Sequence, residues 1–280
     1  MKPAAFAYRR PQSRREAVQQ LLDAGEDARV IAGGQSLMAV LNMRLSQPST
    51  LIDISAVDEL RYIERREDHL AVGAATTQAE LLEYAELPDA VPLVHEVLPW
   101  VGHVQTRNRG TVCGSIAHAD PSAELPLCLA TLGGEVVLET RRGKTRHVSG
   151  ETFFQGVLTT ARRSDELITE VRFPLARSGH RYRFTEVAMR HGDFAIVALA
   201  ADISDQRIRL GVGGVADRPV VREFAPDDDL DASLNELAWS LGAEDDAHAT
   251  AAYRRHLVRE LGRRLIAPNE IEEIADASTT

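Results

Sequence analysis

Only two cysteines, Cys113 and Cys128, occur in this chain of 280 residues. They are too few and too far apart for a CxxC metal site or a thiol redox pair, so the chain cannot hold an iron–sulfur cluster by itself. In a reducing compartment they do not read as a disulfide either. Long apolar runs are missing, and none approaches the roughly 20 residues of a membrane-spanning helix. Lys2, Arg9, Arg10, Arg14 and Arg15 crowd the N-terminus with no apolar segment among them. That is not the pattern of a signal peptide, and a cytoplasmic protein is expected. Basic charge is in deficit: 32 Lys and Arg stand against 42 Asp and Glu, a formal net charge of -10. A nucleic-acid partner, which needs clustered cations against phosphate, is argued against. The pairs Arg9-Arg10 and Arg162-Arg163 read as solvated faces. Aromatics amount to 5%, so the core must be built mainly from Ala, Val, Leu and Ile.

What is present is globular. Hydrophobic residues make up 44% and charged residues 26%, and the length suits two domains. Ser13-Arg14-Arg15-Glu16 has capping-box spacing and opens a helix with Ala17, Val18, Leu21 and Leu22 at helical intervals. Residues 28–32 read as a buried strand running into Gly33-Gly34. Ser36 then caps a helix through Leu37, Val40, Leu41 and Leu45, which Pro48 stops. Strands follow at 51–54 and 69–73, a helix starts at Thr77, and 88–101 is a helix with a break. Residues 105–119, rich in Gly, Asn, Thr and Ser, carry almost no periodic signal and read as a loop.

Glu124-Leu125-Pro126 opens another helix, and 135–138 pairs with 146–148 across an Arg142-Gly143 turn. The strand 166–173 stops at Pro174. A composition break at 175–179 sets the expected boundary between a first domain, 1–175, and a second, 179–280. In the second, strands at 181–189, 195–203 and 208–212 form a small three-stranded antiparallel sheet, and 251–265 is an amphipathic helix. The tail Ser278-Thr279-Thr280 reads as solvated.

Two segments can carry chemistry. Gly33-Gly34, between a strand and a helix, lets backbone approach a ligand closely, and the amides of Gly33 to Leu37 can converge on an anion with the Ser36 hydroxyl. The bland reading is a tight strand-to-helix turn, which a lone Gly-Gly favours. Thr111-Val112-Cys113-Gly114-Ser115 has the same small, hydroxyl-rich character, so the two could clamp the two phosphates of a dinucleotide. Neither matches GxGxxG or GxxxxGKS, which excludes support for a Rossmann domain or a P-loop.

Ala32-Gly33-Gly34-Gln35-Ser36-Leu37 with Arg44, Pro48 and Leu51-Ile52-Asp53-Ile54 forms one block of a wider pattern. Arg107-Asn108-Arg109-Gly110-Thr111, Gly114-Ser115, Ala119-Asp120-Pro121 and Glu124-Leu125-Pro126 form a second, and Arg190-His191-Gly192-Asp193-Phe194-Ala195 a third. Over nearly its whole length the chain resembles the FAD-binding medium subunits of the molybdenum hydroxylases, the family of carbon monoxide dehydrogenase and of the flavin domain of xanthine dehydrogenase.

The resemblance implies an α+β fold: a two-lobed FAD-binding domain of the vanillyl-alcohol oxidase type, with lobes of about 1–57 and 58–175, followed by a small α+β domain. It implies non-covalent FAD, with the diphosphate on the two loops. The implied contacts are Arg29, Val30, Ile31, Ala32, Gly33, Gly34, Gln35, Ser36 and Leu37 from the first loop and its strand, and Thr111, Gly114, Ser115 and Ala117 from the second. Glu124 matches an acidic residue near the ribose, Ile168 an apolar flavin contact, and Asp193 a position near the isoalloxazine edge. Read from pattern alone, Glu124 is a favourable charge at a helix start, Asp193 a loop cap and Ile168 a core residue.

His103 and His118 are assigned no catalytic role. Cys113 stands where the family has Gly, and a positive φ there would strain it. Glu186 stands where relatives often carry Lys. The cluster-binding insertion of the benzoyl-CoA reductase relatives is absent. The implied function is electron transfer from a [2Fe-2S] small subunit to an external acceptor, with a molybdopterin large subunit oxidising the substrate, in a heterohexamer of three chain types. The rival reading is a stand-alone flavin oxidase of a small organic substrate, and a third is a flavin-binding scaffold without electron transfer.

Overall fold

The computed structural model describes residues 2–267; the reading of Ser278-Thr279-Thr280 as solvated falls outside the described residues. Strands β1 (Ala7–Arg9), β2 (Ala28–Ile31) and β3 (Thr50–Asp53) form a parallel sheet in the order β1-β3-β2. Parallel strands need a crossover, and the helix Arg14–Ala24 supplies it between β1 and β2. Ser13 accepts the Glu16 amide at 3.1 Å, while the Glu16 carboxylate accepts the Gln12 amide at 2.7 Å. Half of the expected capping box is thus shifted back by one residue. Ala17, Val18 and Leu21 are the buried face.

Next come β4 (Ile63–Arg65), β5 (His69–Gly73), β6 (Glu135–Thr140), β7 (Lys144–Ser149), a short hairpin of β8 (Phe154–Gly156) with β9 (Thr159–Thr160), and β10 (Leu167–Pro174). Without the hairpin these make an antiparallel sheet in the order β4-β5-β10-β6-β7. The expected hairpin of β6 with β7 is formed, with Leu138 opposite Arg146. Its turn uses positive φ at Arg142 (63°) and Gly143 (70°), the conformation whose twist suits a tight hairpin.

The last sheet corrects the sequence reading. It has four strands, β11 (Arg181–Ala188), β12 (Ala195–Ile203), β13 (Ile208–Gly213) and β14 (Val220–Phe224), antiparallel and in chain order. The missed β14 follows Arg218-Pro219 and contains Arg222-Glu223, a composition tolerated because it is a half-exposed edge strand. β12 is buried at every position, since both faces of this sheet are covered. One packs on the helices Pro92–Val97 and Glu124–Leu132, the other on Leu230–Ser240 and Ala251–Ile266. None of the described helices is long and apolar enough to cross a membrane.

A second correction concerns 105–119, which is not one loop. It holds the short helices Val104–Arg107 and Val112–His118. A helix of seven residues spans under two turns, too little for a periodic signal. Cys113 lies in the second, with no positive φ, and its buried thiol donates to the Val72 carbonyl at 3.5 Å. The strain foreseen there does not arise.

Candidate cofactor site

A cleft of about 1640 Å³ runs between the parallel sheet, the five-stranded sheet and the four-stranded sheet. It exceeds the ~300–1,000 Å³ of ordinary small-molecule pockets and suits a ligand of dinucleotide size. All sixteen residues proposed from the sequence as cofactor contacts stand in its wall, from Arg29 to Asp193.

The segment from Gly33 to Leu37 leaves β2 and enters the helix Leu37–Asn42. None of its five amides donates to an acceptor among the described residues. Helical bonding begins only when Met38 donates to the Gly34 carbonyl at 3.0 Å. Gly34 has φ of +71°, a conformation costly for a residue with Cβ. Gly33 is required for a different reason: a Cβ there would lie 2.0 Å from the Arg109 carbonyl oxygen. The two loops therefore touch through backbone. Ser36 does not cap the helix through its side chain, contrary to expectation, because its own backbone is already helical. Its hydroxyl is left for the cleft. The helix has only six residues, so the amides and not a macrodipole supply the positive potential.

The second loop works differently. Thr111 caps the helix Val112–His118 by accepting the Gly114 amide at 3.0 Å, and the Ser115 amide donates to the Thr111 carbonyl at 3.1 Å. The Val112 amide is held by the Thr76 carbonyl at 3.1 Å. With these amides spent inside the protein, the loop offers hydroxyls: Thr111 can still donate its proton, and Ser115 faces the cleft. Gly114 is needed because a Cβ would sit 2.6 Å from the Thr111 hydroxyl oxygen.

Glu124 begins the helix Glu124–Leu132 and is almost wholly buried. Burial, with the charge of Asp120, pushes its carboxyl up to about 7. Ile168 is both core and cleft wall, so its two readings are compatible. Asp193 stands exposed on the loop before β12. Gly192 sets that loop against Gly102 and His103, at φ of +85°, where a Cβ would meet the Gly102 carbonyl at 2.8 Å. Among the described residues the Asp193 side chain makes no capping bond.

Several wall residues escaped the sequence reading. Gln78 is buried, its backbone N–H donates to the Gly110 carbonyl at 2.8 Å, and its side-chain Oε1 has no partner among the described residues. That oxygen is shut off from the cleft and is an unsatisfied acceptor beneath its wall, and nothing in its sequence neighbourhood marks it. Arg162 is not on a solvated face: it lines the cleft, and its guanidinium donates to the Arg163 and Glu166 carbonyls, both at 2.8 Å. Burial and the neighbouring charge of Arg29 hold its pKa below the usual arginine value. Met189 and Phe194, exposed on the lip beside Asp193, were also missed.

Residues 4–176 match the model of the FAD binding domain in molybdopterin dehydrogenase. The chain is 37% identical over 280 residues to the nicotine 6-hydroxylase medium subunit of Paenarthrobacter nicotinovorans, covering 95% of this chain and 98% of that one. Its structure is similar to that of quinoline 2-oxidoreductase from Pseudomonas putida 86, with a TM-score of 0.85 at 34% identity over 95% of this chain and 97% of that one. Reconstituted CO dehydrogenase from Oligotropha carboxidovorans gives a TM-score of 0.89 at 29% identity with the same coverage.

Proposed function

The chain belongs to the family of FAD-binding domains of the molybdopterin dehydrogenases, and from that premise we propose that it carries electrons, through FAD held non-covalently in the cleft, from an iron–sulfur partner to an external acceptor. It is an FAD-binding oxidoreductase subunit of the medium-subunit type. The observation that carries the reading is the row of five amides from Gly33 to Leu37, without partners among the described residues, set against the hydroxyls of Thr111 and Ser115. A hydrogen bond to a charged oxygen contributes about 1.5–3 kcal/mol, so several of them can hold a diphosphate without lysine. That resolves how a chain of net charge -10 can keep an anionic cofactor.

The residues present fit FAD. Gly33 to Ser36 and the two hydroxyls hold the diphosphate, and Val30, Ile31 and Ile168 give apolar wall to the rings. Glu124 lines the same cleft, where its carboxyl, held neutral by burial, would donate to a cofactor oxygen. Asp193 lines the cleft from the loop before β12, where it would stand near the ring system. Bound FAD supplies the ability to accept electrons singly and to release them singly or in pairs, while the protein binds, orients and shields it. Substrate oxidation belongs to a molybdopterin partner, and the cluster to a [2Fe-2S] partner, since two buried cysteines cannot ligate one.

Gly34→Asp tests the site. It sets a carboxylate beside the diphosphate and forces a side chain to within 3.3 Å of the Ile31 Cδ1. The expected variant folds but is colourless, read by flavin absorbance after gel filtration. Full flavin occupancy in that variant contradicts the assignment.

A further inference from the structure

Two carboxyl groups lie between the cleft and the four-stranded sheet with no cation to balance them. Glu124 lines the cleft at the start of its helix. Glu186 is buried on the face of β11 that also carries Tyr182 and Phe184, in a core otherwise apolar. Both Glu186 carboxyl oxygens are shut off from solvent, and neither has a hydrogen-bond partner among the described residues. Opposite it on β12 stands Ala198, which offers nothing polar.

The charges around them are of one sign or already engaged. The charge acting on Glu186 is that of Glu124, and Asp120 adds to the charge felt by Glu124. From the helix Pro92–Val97, Glu96 accepts the Phe184 amide at 3.2 Å and has His95 and Arg183 beside it. From the helix Glu124–Leu132, the Cys128 thiol is buried near Glu124 and Glu96 and stays protonated. His191 packs edge-on to Trp100 at 4.9 Å between ring centroids, at the end of the same layer. A buried carboxylate without cation or hydrogen bond is unstable as an ion and stays protonated.

We propose that Glu124, in the wall of the cofactor cleft, and Glu186, buried on β11 outside that wall, act together as proton-holding acids: Glu186 is neutral around neutral pH, and Glu124 takes up a proton as anionic FAD enters, coupling cofactor binding to proton uptake. The inference rests on the reading of the cleft as an FAD site. Without cofactor, burial already lifts Glu124 to about 7 and Glu186 to about 8. Entry of a diphosphate excludes water from Glu124 and adds negative charge nearby, and both effects raise it further. The complex then holds more protons than the separated partners. Affinity is greatest below the pKa of Glu124 in the empty cleft and falls as pH rises through and above it. The proton comes from solvent and no bond to the cofactor forms.

The test is calorimetric titration of FAD into the full flavin-free chain from pH 6 to pH 9, as a range of about three units, in buffers of different ionisation enthalpy. The expected result is proton uptake on binding at the alkaline end, and a Kd that weakens by up to about tenfold per pH unit for each coupled proton. Glu124→Gln should bind FAD with a nearly flat profile, and Glu186→Gln should show a shallower alkaline loss than the unmodified chain. Binding with no proton uptake and a Kd flat across the range overturns the pair while leaving the FAD site standing. Unchanged pH profiles in both folded variants overturn it as well. Absence of FAD binding at every pH sinks the site reading itself. Should either variant fail to fold, the proton count of the unmodified chain decides.

Discussion

Gly33 and Gly34 are neighbours with separate tasks. Gly34 adopts a backbone that a side chain resists, whereas Gly33 lets the second loop come within contact of the first. Gly33→Ala is therefore expected to damage packing as well as binding, with a loss of about 1–3 kcal/mol from forced separation of the loops. Chemical denaturation and FAD content measure the two effects. Normal stability would show that the loops can part freely. The buried acids make a second prediction at this scale. Glu186 is raised from an ordinary value of 4.5 to about 8, so between those values the folded chain binds more protons than the unfolded one. Its stabilising contribution is full below the lower value and is lost as pH rises through the upper one. Unfolding in urea at pH near 6 and near 8.5, values on the order of the upper one and either side of it, should show the alkaline loss shrink in Glu186→Gln. An undiminished loss would place its cause elsewhere.

At the scale of elements, the two loops present different groups to the cleft: one has amides without acceptors among the described residues, the other has hydroxyls. Thr111 serves both fold and site, since its oxygen caps the helix Val112–His118 while its proton can reach the cleft. Thr111→Val should cost about 1 kcal/mol of stability through the lost cap and also weaken FAD binding. Thr111→Ser should restore both, as melting curves and the FAD Kd would show. FAD affinity unaffected by Val would remove the hydroxyl from the site. The glycines and hydroxyls of both loops were legible in sequence because few other residues can serve there. The helices Val104–Arg107 and Val112–His118 were not, being too short for a repeat. Strand β14 was hidden by Arg218-Pro219 and by its edge position, and the Oε1 of Gln78 by the fact that only tertiary packing leaves it unpaired. Arg162 looked solvated because a charged pair carries no sign of which member turns inward, yet Arg162 lines the cleft and Arg163 is exposed.

At the scale of the whole molecule, three sheets that share no strands close around one cleft, and residues from positions 29 to 193 meet in its wall. Under the proposed role of electron carrier, no catalytic acid or base for substrate oxidation is asked of this chain. The most direct measurement is the absorbance spectrum of the purified chain before and after acid denaturation, together with its activity on small organic substrates. The account predicts a yellow protein that releases about one FAD per chain into the supernatant, as a single two-phosphate site requires, and that oxidises none of those substrates unaided. A colourless chain, a flavin that stays attached to the precipitate, or unaided substrate oxidation would contradict it.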